Sequence, residues 1–128
     1  MGPVIEIELP YPPTVNHYYK YVRGRVFITT RGRKYREAVC YLIRANRLRE
    51  IFYPIEMEID WYLPDRRKRD IDNILKSLLD AMERGRLYEN DSQIVKLTIE
   101  KHSIVKGGRV IVRIKEIKHR TYRLEKGE

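Results

Sequence analysis

The segment Ile55–Leu63 constrains the fold more than any other. Ile55, Met57, Ile59, Trp61 and Leu63 alternate with Glu56, Glu58, Asp60 and Tyr62. Successive side chains of an extended chain point to opposite faces, so this period of two predicts a strand with one apolar and one acidic side. Such a strand needs a sheet around it and a cover over its apolar face. Ile5, Ile7 and Leu9 alternate with Glu6 and Glu8 in the same way, predicting a half-buried first strand. Pro10-Tyr11-Pro12-Pro13 ends it, because proline has no N–H to give to a ladder. A loop rich in tyrosine and basic residues is expected over 14–24, then a short strand from Arg25 to Thr29.

From Arg33 to Arg49 the apolar residues Tyr35, Ala38, Val39, Leu42, Ile43 and Ala45 recur at helical spacing. A second helix is expected to start near Asp72, bury Ile74, Leu75, Leu78, Leu79 and Met82, and stop at Gly85. Val95, Leu97 and Ile99 are expected on one side of a further strand. Gly107-Gly108 then reads as a hairpin turn into a last strand from Arg109 to Ile117. The order β, loop, α, β, α, β, β implies an α/β fold of the α+β type, a mixed sheet with two main helices on one face. With 128 residues there is room for one domain over 1–128, ending in a polar tail over 118–128.

The formal net charge is +9, which favours an anionic partner, nucleic acid first. No apolar run approaches the roughly 20 residues needed to span a bilayer, and no secretory leader is visible at Met1-Gly2-Pro3-Val4. Cys40 is the only cysteine, which excludes an internal disulfide and a cysteine zinc site. A cytoplasmic protein without membrane contact is expected.

The stretch Asp65-Arg66-Arg67-Lys68-Arg69-Asp70-Ile71-Asp72-Asn73 carries the most chemistry. In an extended segment, residues two apart point the same way, so Asp70 and Asp72 converge. Converging carboxylates repel unless a cation sits between them. Mg²⁺ takes a few carboxylates plus water and phosphate oxygens. The same spacing also fits a plainer role, in which Asp72 caps the helix and Asp70 adds favourable charge at its start. Lys76, four residues after Asp72, shares its helix face. There it either stabilises charge on a transferring phosphate or pairs on the surface with Asp72 or Asp80. Asp91, in an Asn-Asp turn before the next strand, is expected at a sheet edge beside the start of the second helix. Ordinary turn chemistry also explains it.

Taken together, these residues resemble the RusA-type crossover junction endonucleases. The shared pattern is a basic run, Arg66, Arg67, Lys68 and Arg69, then Asp70, Asp72 and Asn73, then Lys76, then Asp91. It is joined by Pro12-Pro13-Thr14-Val15-Asn16-His17-Tyr18-Tyr19 and by Lys106-Gly107-Gly108-Arg109, so the resemblance covers about residues 4–117. It implies a dimeric endonuclease that uses Mg²⁺, with Mn²⁺ as a substitute. Such an enzyme resolves Holliday junctions by paired nicks that leave 5′-phosphates. It further implies Asp70, Asp72 and Asp91 as metal ligands and Lys76 as an essential lysine.

DNA contact is expected from Arg66, Arg67, Lys68, Arg69 and Asn73 in the basic run. The loop residues Tyr18, Tyr19, Lys20 and Arg23 are expected to interleave stacking rings with phosphate-binding cations. Asn16 fits either a turn or a ligand contact. His17, His102 and His119 show no metal-ligand spacing, and the acidic stripe Glu56, Glu58 and Asp60 reads as a solvated face or a surface for basic groups. The rival reading is a non-catalytic basic nucleic-acid module. It explains the charge but gives Asp70, Asp72 and Asp91 no reason to meet.

Overall fold

The computed structural model describes residues 4–117. Its elements are β1 (Val4–Pro10), α1 (Val15–Tyr18), β2 (Tyr19–Val22), β3 (Arg25–Ile28), α2 (Thr30–Ala45), β4 (Ile55–Leu63), α3 (Leu75–Arg84), β5 (Ile94–Ile104) and β6 (Arg109–Glu116). The architecture is α+β. A four-stranded mixed sheet has the order β1-β6-β4-β5, and β2 and β3 form a separate two-stranded ribbon. β4 pairs with β6 antiparallel and with β5 in parallel, so α3 lies in the crossover that parallel neighbours require. The polar tail over 118–128 lies outside the described residues. No helix among the described residues is long and apolar enough to cross a membrane.

The alternation in β4 sets the two faces. Met57, Ile59 and Trp61 are buried with Ile7 and Leu9 of β1 and Val110, Val112 and Ile114 of β6. Tyr35, Val39 and Ile43 of α2 and Leu78, Ala81 and Met82 of α3 complete this core, so both main helices cover one face, as expected. The other face keeps its charges. Arg113 of β6 reaches Glu58 at 3.1 Å and Asp60 at 2.6 Å, so the acidic stripe of β4 pairs with a basic neighbour.

Three local expectations change. Gly107 and Gly108 do turn the chain, with φ of +79° and +67°, yet β5 and β6 are not neighbours. β4 lies between them, and the turn crosses its end, with the Val105 N–H donating to the Leu63 carbonyl at 2.9 Å. In β5, Ile94, Leu97 and Ile99 lie opposite Ile55, Met57 and Ile59. Val95 is the extra residue of a bulge rather than a member of the inward row. The second helix begins at Leu75 instead of Asp72. The Asn73 N–H donates to the Asp70 carbonyl at 3.0 Å, so 70–73 is a turn and not an extended segment.

Both main helices end in the same way. The Leu48 N–H donates to the Ile43 carbonyl and the Arg47 N–H to the Arg44 carbonyl. Leu87 does the same to Met82, and Arg86 to Glu83. This pair of bonds puts one residue in the left-handed region, where glycine is the usual occupant. Here the residues are arginines, Arg47 at φ +55° and Arg86 at φ +63°. Gly85, just before Arg86, is the C-cap where α3 stops, as expected, and it packs close to α2, since a Cβ there would lie 2.6 Å from Ile43 Cδ1.

Gly32 in the first turn of α2 allows a closer approach still. An added Cβ would sit 2.5 Å from the Tyr18 carbonyl oxygen and 2.9 Å from Ile28 Cγ1. Because one of those atoms is backbone, α1 must shift to admit it. Gly32→Ala is therefore expected to lower stability by about 1–3 kcal/mol, as overpacking does. Urea denaturation measures this, and an unchanged midpoint would contradict the packing argument.

Candidate functional site

The exposed side of α3 and the turn before it present Asp72, Lys76 and Asp80, each four residues from the next. The opposite side is held by Ile74, Ser77, Leu78, Ala81 and Met82, all buried. Ser77 Oγ donates to the Pro13 carbonyl at 2.5 Å and so ties the proline segment to α3. Asp91 starts a single 3₁₀ turn, Asp91–Gln93, immediately before β5. Gln93, the only glutamine of the chain, locks this turn. Its Oε1 accepts from the Glu89 and Asn90 N–H groups, and its Nε2 donates to the Ile51 and Tyr53 carbonyls. The Asp91 N–H donates to Glu83 Oε1 at 3.0 Å. The Asp91 turn is thus tied to the last turn of α3 through Glu83, while Asp91 shares a cavity with Asp72 and Lys76 at the helix start, as expected.

Asp72, Lys76, Asp80 and Asp91, with Leu75 and Leu79, line one open cavity of about 350 Å³. Asp70 is exposed two residues earlier and is not among the lining residues. The turn at 70–73 removes the extended geometry on which its convergence with Asp72 was argued. Among the described residues, no hydrogen bond or ion pair engages the side chains of Asp70, Asp72, Lys76 or Asp91. Asp72 does not cap α3, whose N-cap is Ile74 without a side-chain bond. Lys76 does not pair with Asp72 or Asp80. The cavity therefore holds hard oxygen donors that the protein leaves open, beside an unpaired ammonium. That donor set suits a small divalent cation with room for water and phosphate.

Asp80 was not singled out from the sequence. Its Oδ2 accepts from the Tyr18 hydroxyl and from Arg36 Nε at 3.0 Å, tying α1 and α2 to the cavity wall. The visible signal was its place four residues after Lys76. Tyr18 departs from expectation in turn. It is fully buried, so its ring is not available to stack on a base, and burial together with the Asp80 bond pushes its hydroxyl pKa up. Tyr19 is half-buried and meets the Tyr18 ring edge-on at 4.8 Å. Asn16, Lys20 and Arg23 are exposed. Lys20 and Arg23 lie on the β2–β3 ribbon and its tight turn, which replaces the expected loop.

The basic run has an acidic anchor. Arg69 donates to both Asp65 oxygens, at 2.6 and 3.1 Å, and the Arg67 N–H donates to Asp65 Oδ1 at 2.9 Å. These bonds hold the Asp65 carboxyl down to about 2. The Lys101 ammonium donates to the Arg69 carbonyl. Arg66, Arg67 and Lys68 remain exposed between these fixings, while Arg69 and Asn73 are half-buried.

A second group could also take a metal. One ligand atom each from Asp60, Glu100 and His102 lies within 4.8 Å of the others on the open face of the sheet. Asp60 and Glu100 are register partners across β4 and β5, and His102 follows Glu100 by two, an arrangement across strands that the spacing of the histidines alone does not reveal. This group is already satisfied within the protein. Burial raises the Asp60 carboxyl, but hydrogen bonds from Arg113 and His102 outweigh that and hold it below the usual range. His102 also stacks on Tyr62 at 5.0 Å. The cavity on α3 has no such internal cations bound to Asp72 and Asp91.

Residues 10–115 match the family model described as endodeoxyribonuclease RusA. The chain is 37% identical over 112 residues to the crossover junction endodeoxyribonuclease RusA of Enterobacteria phage 82, covering 87% of this chain and 93% of that protein. It is 36% identical over 113 residues to the protein of the same name from Escherichia coli K12, with the same coverage. The match spans the basic run, α3 and the turn at Asp91 together, and on that basis the chain belongs to the RusA endodeoxyribonuclease family.

Proposed function

We propose that this chain is a divalent-metal-dependent endonuclease that resolves Holliday junctions as a homodimer, with Mg²⁺ as the working ion and Mn²⁺ as a substitute. The observation that carries the reading is the cavity on α3, where Asp72 and Asp91 offer unbonded carboxylates beside the unpaired Lys76. The relatives' name, crossover junction endodeoxyribonuclease, supplies the substrate class.

Asp72 and Asp91 would hold the ion, with Asp70 joining from the exposed turn. When bound, the ion supplies Lewis acidity at a phosphate oxygen and a water nucleophile at neutral pH. Lys76 aims positive charge at the reacting phosphate, where charge grows in the transition state. Asp80, fixed by Arg36 and Tyr18, holds the wall of the cavity in place. Arg66, Arg67, Lys68 and Arg69, with Asn73, grip phosphates next to the site, and Lys20 and Arg23 do so from the ribbon.

A four-way junction has a two-fold axis, and the described residues of this chain form one such cavity per copy. A closed two-fold dimer places two on one junction. Apolar residues exposed on α2 and the loop after it, Tyr41, Phe52 and Tyr53, offer material for the interface. The test is a cruciform extruded from a supercoiled plasmid. Paired nicks are expected to yield linear product in Mg²⁺, and DNA ligase is expected to reseal nicks made in a synthetic junction, as 5′-phosphates allow. A protein that is monomeric by ultracentrifugation and leaves only nicked circles would overturn the dimeric reading. One that binds the junction but never cuts it would be a basic binding module.

A further inference from the structure

We propose that the groove between α2 and the end of α3 is a track for the phosphodiester backbone of one duplex arm. This deepens the endonuclease reading and rests on it. The groove encloses about 690 Å³ and is lined by Arg33, Arg36, Arg44, Arg84 and Arg86. Glu37 and Glu50 also line it, and Arg36 and Arg84 pair with Asp80, which leaves Arg33, Arg44 and Arg86 as the cations open to a phosphate. Guanidinium groups match phosphate oxygens in a bidentate fork, which makes arginine the side chain suited to such a track.

Three observations point to phosphate rather than to internal pairing. Arg33, Arg44 and Arg86 form no ion pair among the described residues. Arg36 belongs to both places, lining the groove and donating to Asp80, which lines the catalytic cavity. The groove therefore adjoins the site where a phosphate would react, with the Arg36–Asp80 pair as the wall between them. The third observation is the backbone at Arg86. Its left-handed conformation is one that glycine adopts at less strain, yet an arginine stands there with its side chain on the groove. Arg47 at the end of α2 and Arg23 at the tip of the ribbon repeat the pattern. A ligand bound by the Arg86 side chain would offset that backbone cost. From Leu9 to Arg36 the chain has no acidic residue, so the surface leading into the groove is uniformly basic.

The test measures binding of the full-length protein to a labelled four-way junction and to a linear duplex, in EDTA, over a range of salt. The variant Arg44→Ala/Arg86→Gly removes two groove cations. Lys96→Ala/Lys115→Ala removes the same charge from the open face of the sheet. Each phosphate contact contributes about 0.9 to the slope of log affinity against log salt. The groove variant is expected to lose nearly two units of slope and bind both DNAs about tenfold or more weakly at physiological salt, while the control shifts far less. Equal losses in the two variants would mean diffuse charge alone and would overturn the track, as would an unchanged groove variant. Arg86→Gly alone is expected to melt no lower than the wild type. A lower melting temperature would assign Arg86 a structural role and overturn the argument from its backbone. Failure of the wild-type protein to cut junctions in Mg²⁺ would sink the endonuclease reading separately, since the binding measurements need no metal.

Discussion

Asp72→Asn and Asp91→Asn are each expected to abolish junction cleavage while junction binding stays intact or tightens. Both side chains line the cavity on α3 and neither is hydrogen-bonded among the described residues, so the amide replacement is expected to leave the fold untouched. What it removes is a charged oxygen donor for the ion. Losing about 4 kcal/mol of transition-state stabilisation corresponds to about a thousandfold in rate. Removing negative charge from a basic surface favours DNA. Asp70→Asn is expected to fall with them and is the sharper test, because Asp70 lies outside the cavity lining in the free protein. The measurement is single-turnover cleavage of a synthetic junction in Mg²⁺ beside a binding titration. Near wild-type cutting by either cavity variant would refute the metal assignment.

Lys76→Ala is expected to lower the cleavage rate by about a hundredfold to a thousandfold with little change in affinity. One cation among 27 Lys and Arg residues contributes little to total phosphate attraction. A charge placed at the reacting phosphate contributes far more, on the scale of removing one oxyanion donor. Among the described residues Lys76 has no partner that would hold it elsewhere. Lys76→Arg separates the roles. It keeps the charge but moves it outward on a planar group, so partial rescue is expected. An alanine variant with a normal single-turnover rate would show Lys76 to be a solubilising surface charge.

Most of the sheet was legible because its strands are written in period two. Ile55 to Leu63 and Ile5 to Leu9 face inward as their alternation requires, and the stripe of α3 buries Leu78 and Met82. The functional side chains were legible as a pattern along the chain but not as a geometry. Asp91 meets Asp72 and Lys76 because the parallel pairing of β4 with β5 fixes where the chain enters β5, while the turn at 70–73 leaves Asp70 apart. Parallel pairing is set by long-range contacts that no local motif reports. Tyr18 was misread for a related reason. Its neighbours Lys20, Tyr21 and Arg23 are exposed, whereas Gly32 and Asp80, distant in sequence, draw its ring inside. Asp65 escaped notice because its two partners, Arg67 and Arg69, looked like DNA ligands only.

The turn through Gly107 and Gly108 has a consequence for how the chain finds this fold. β5 and β6 are adjacent in sequence and joined by a tight link, so pairing them with each other closes the shortest loop and loses the least entropy. The native sheet forbids that pairing, because β4 occupies the slot between them. A local β5–β6 hairpin in the unfolded chain would compete with the final topology. Release from it depends on β4 arriving from before α3 and making its contacts on both sides at once. Folding of this small domain is then governed by its longest closures rather than its shortest. Added stability in the β5–β6 link alone would slow acquisition of the native sheet.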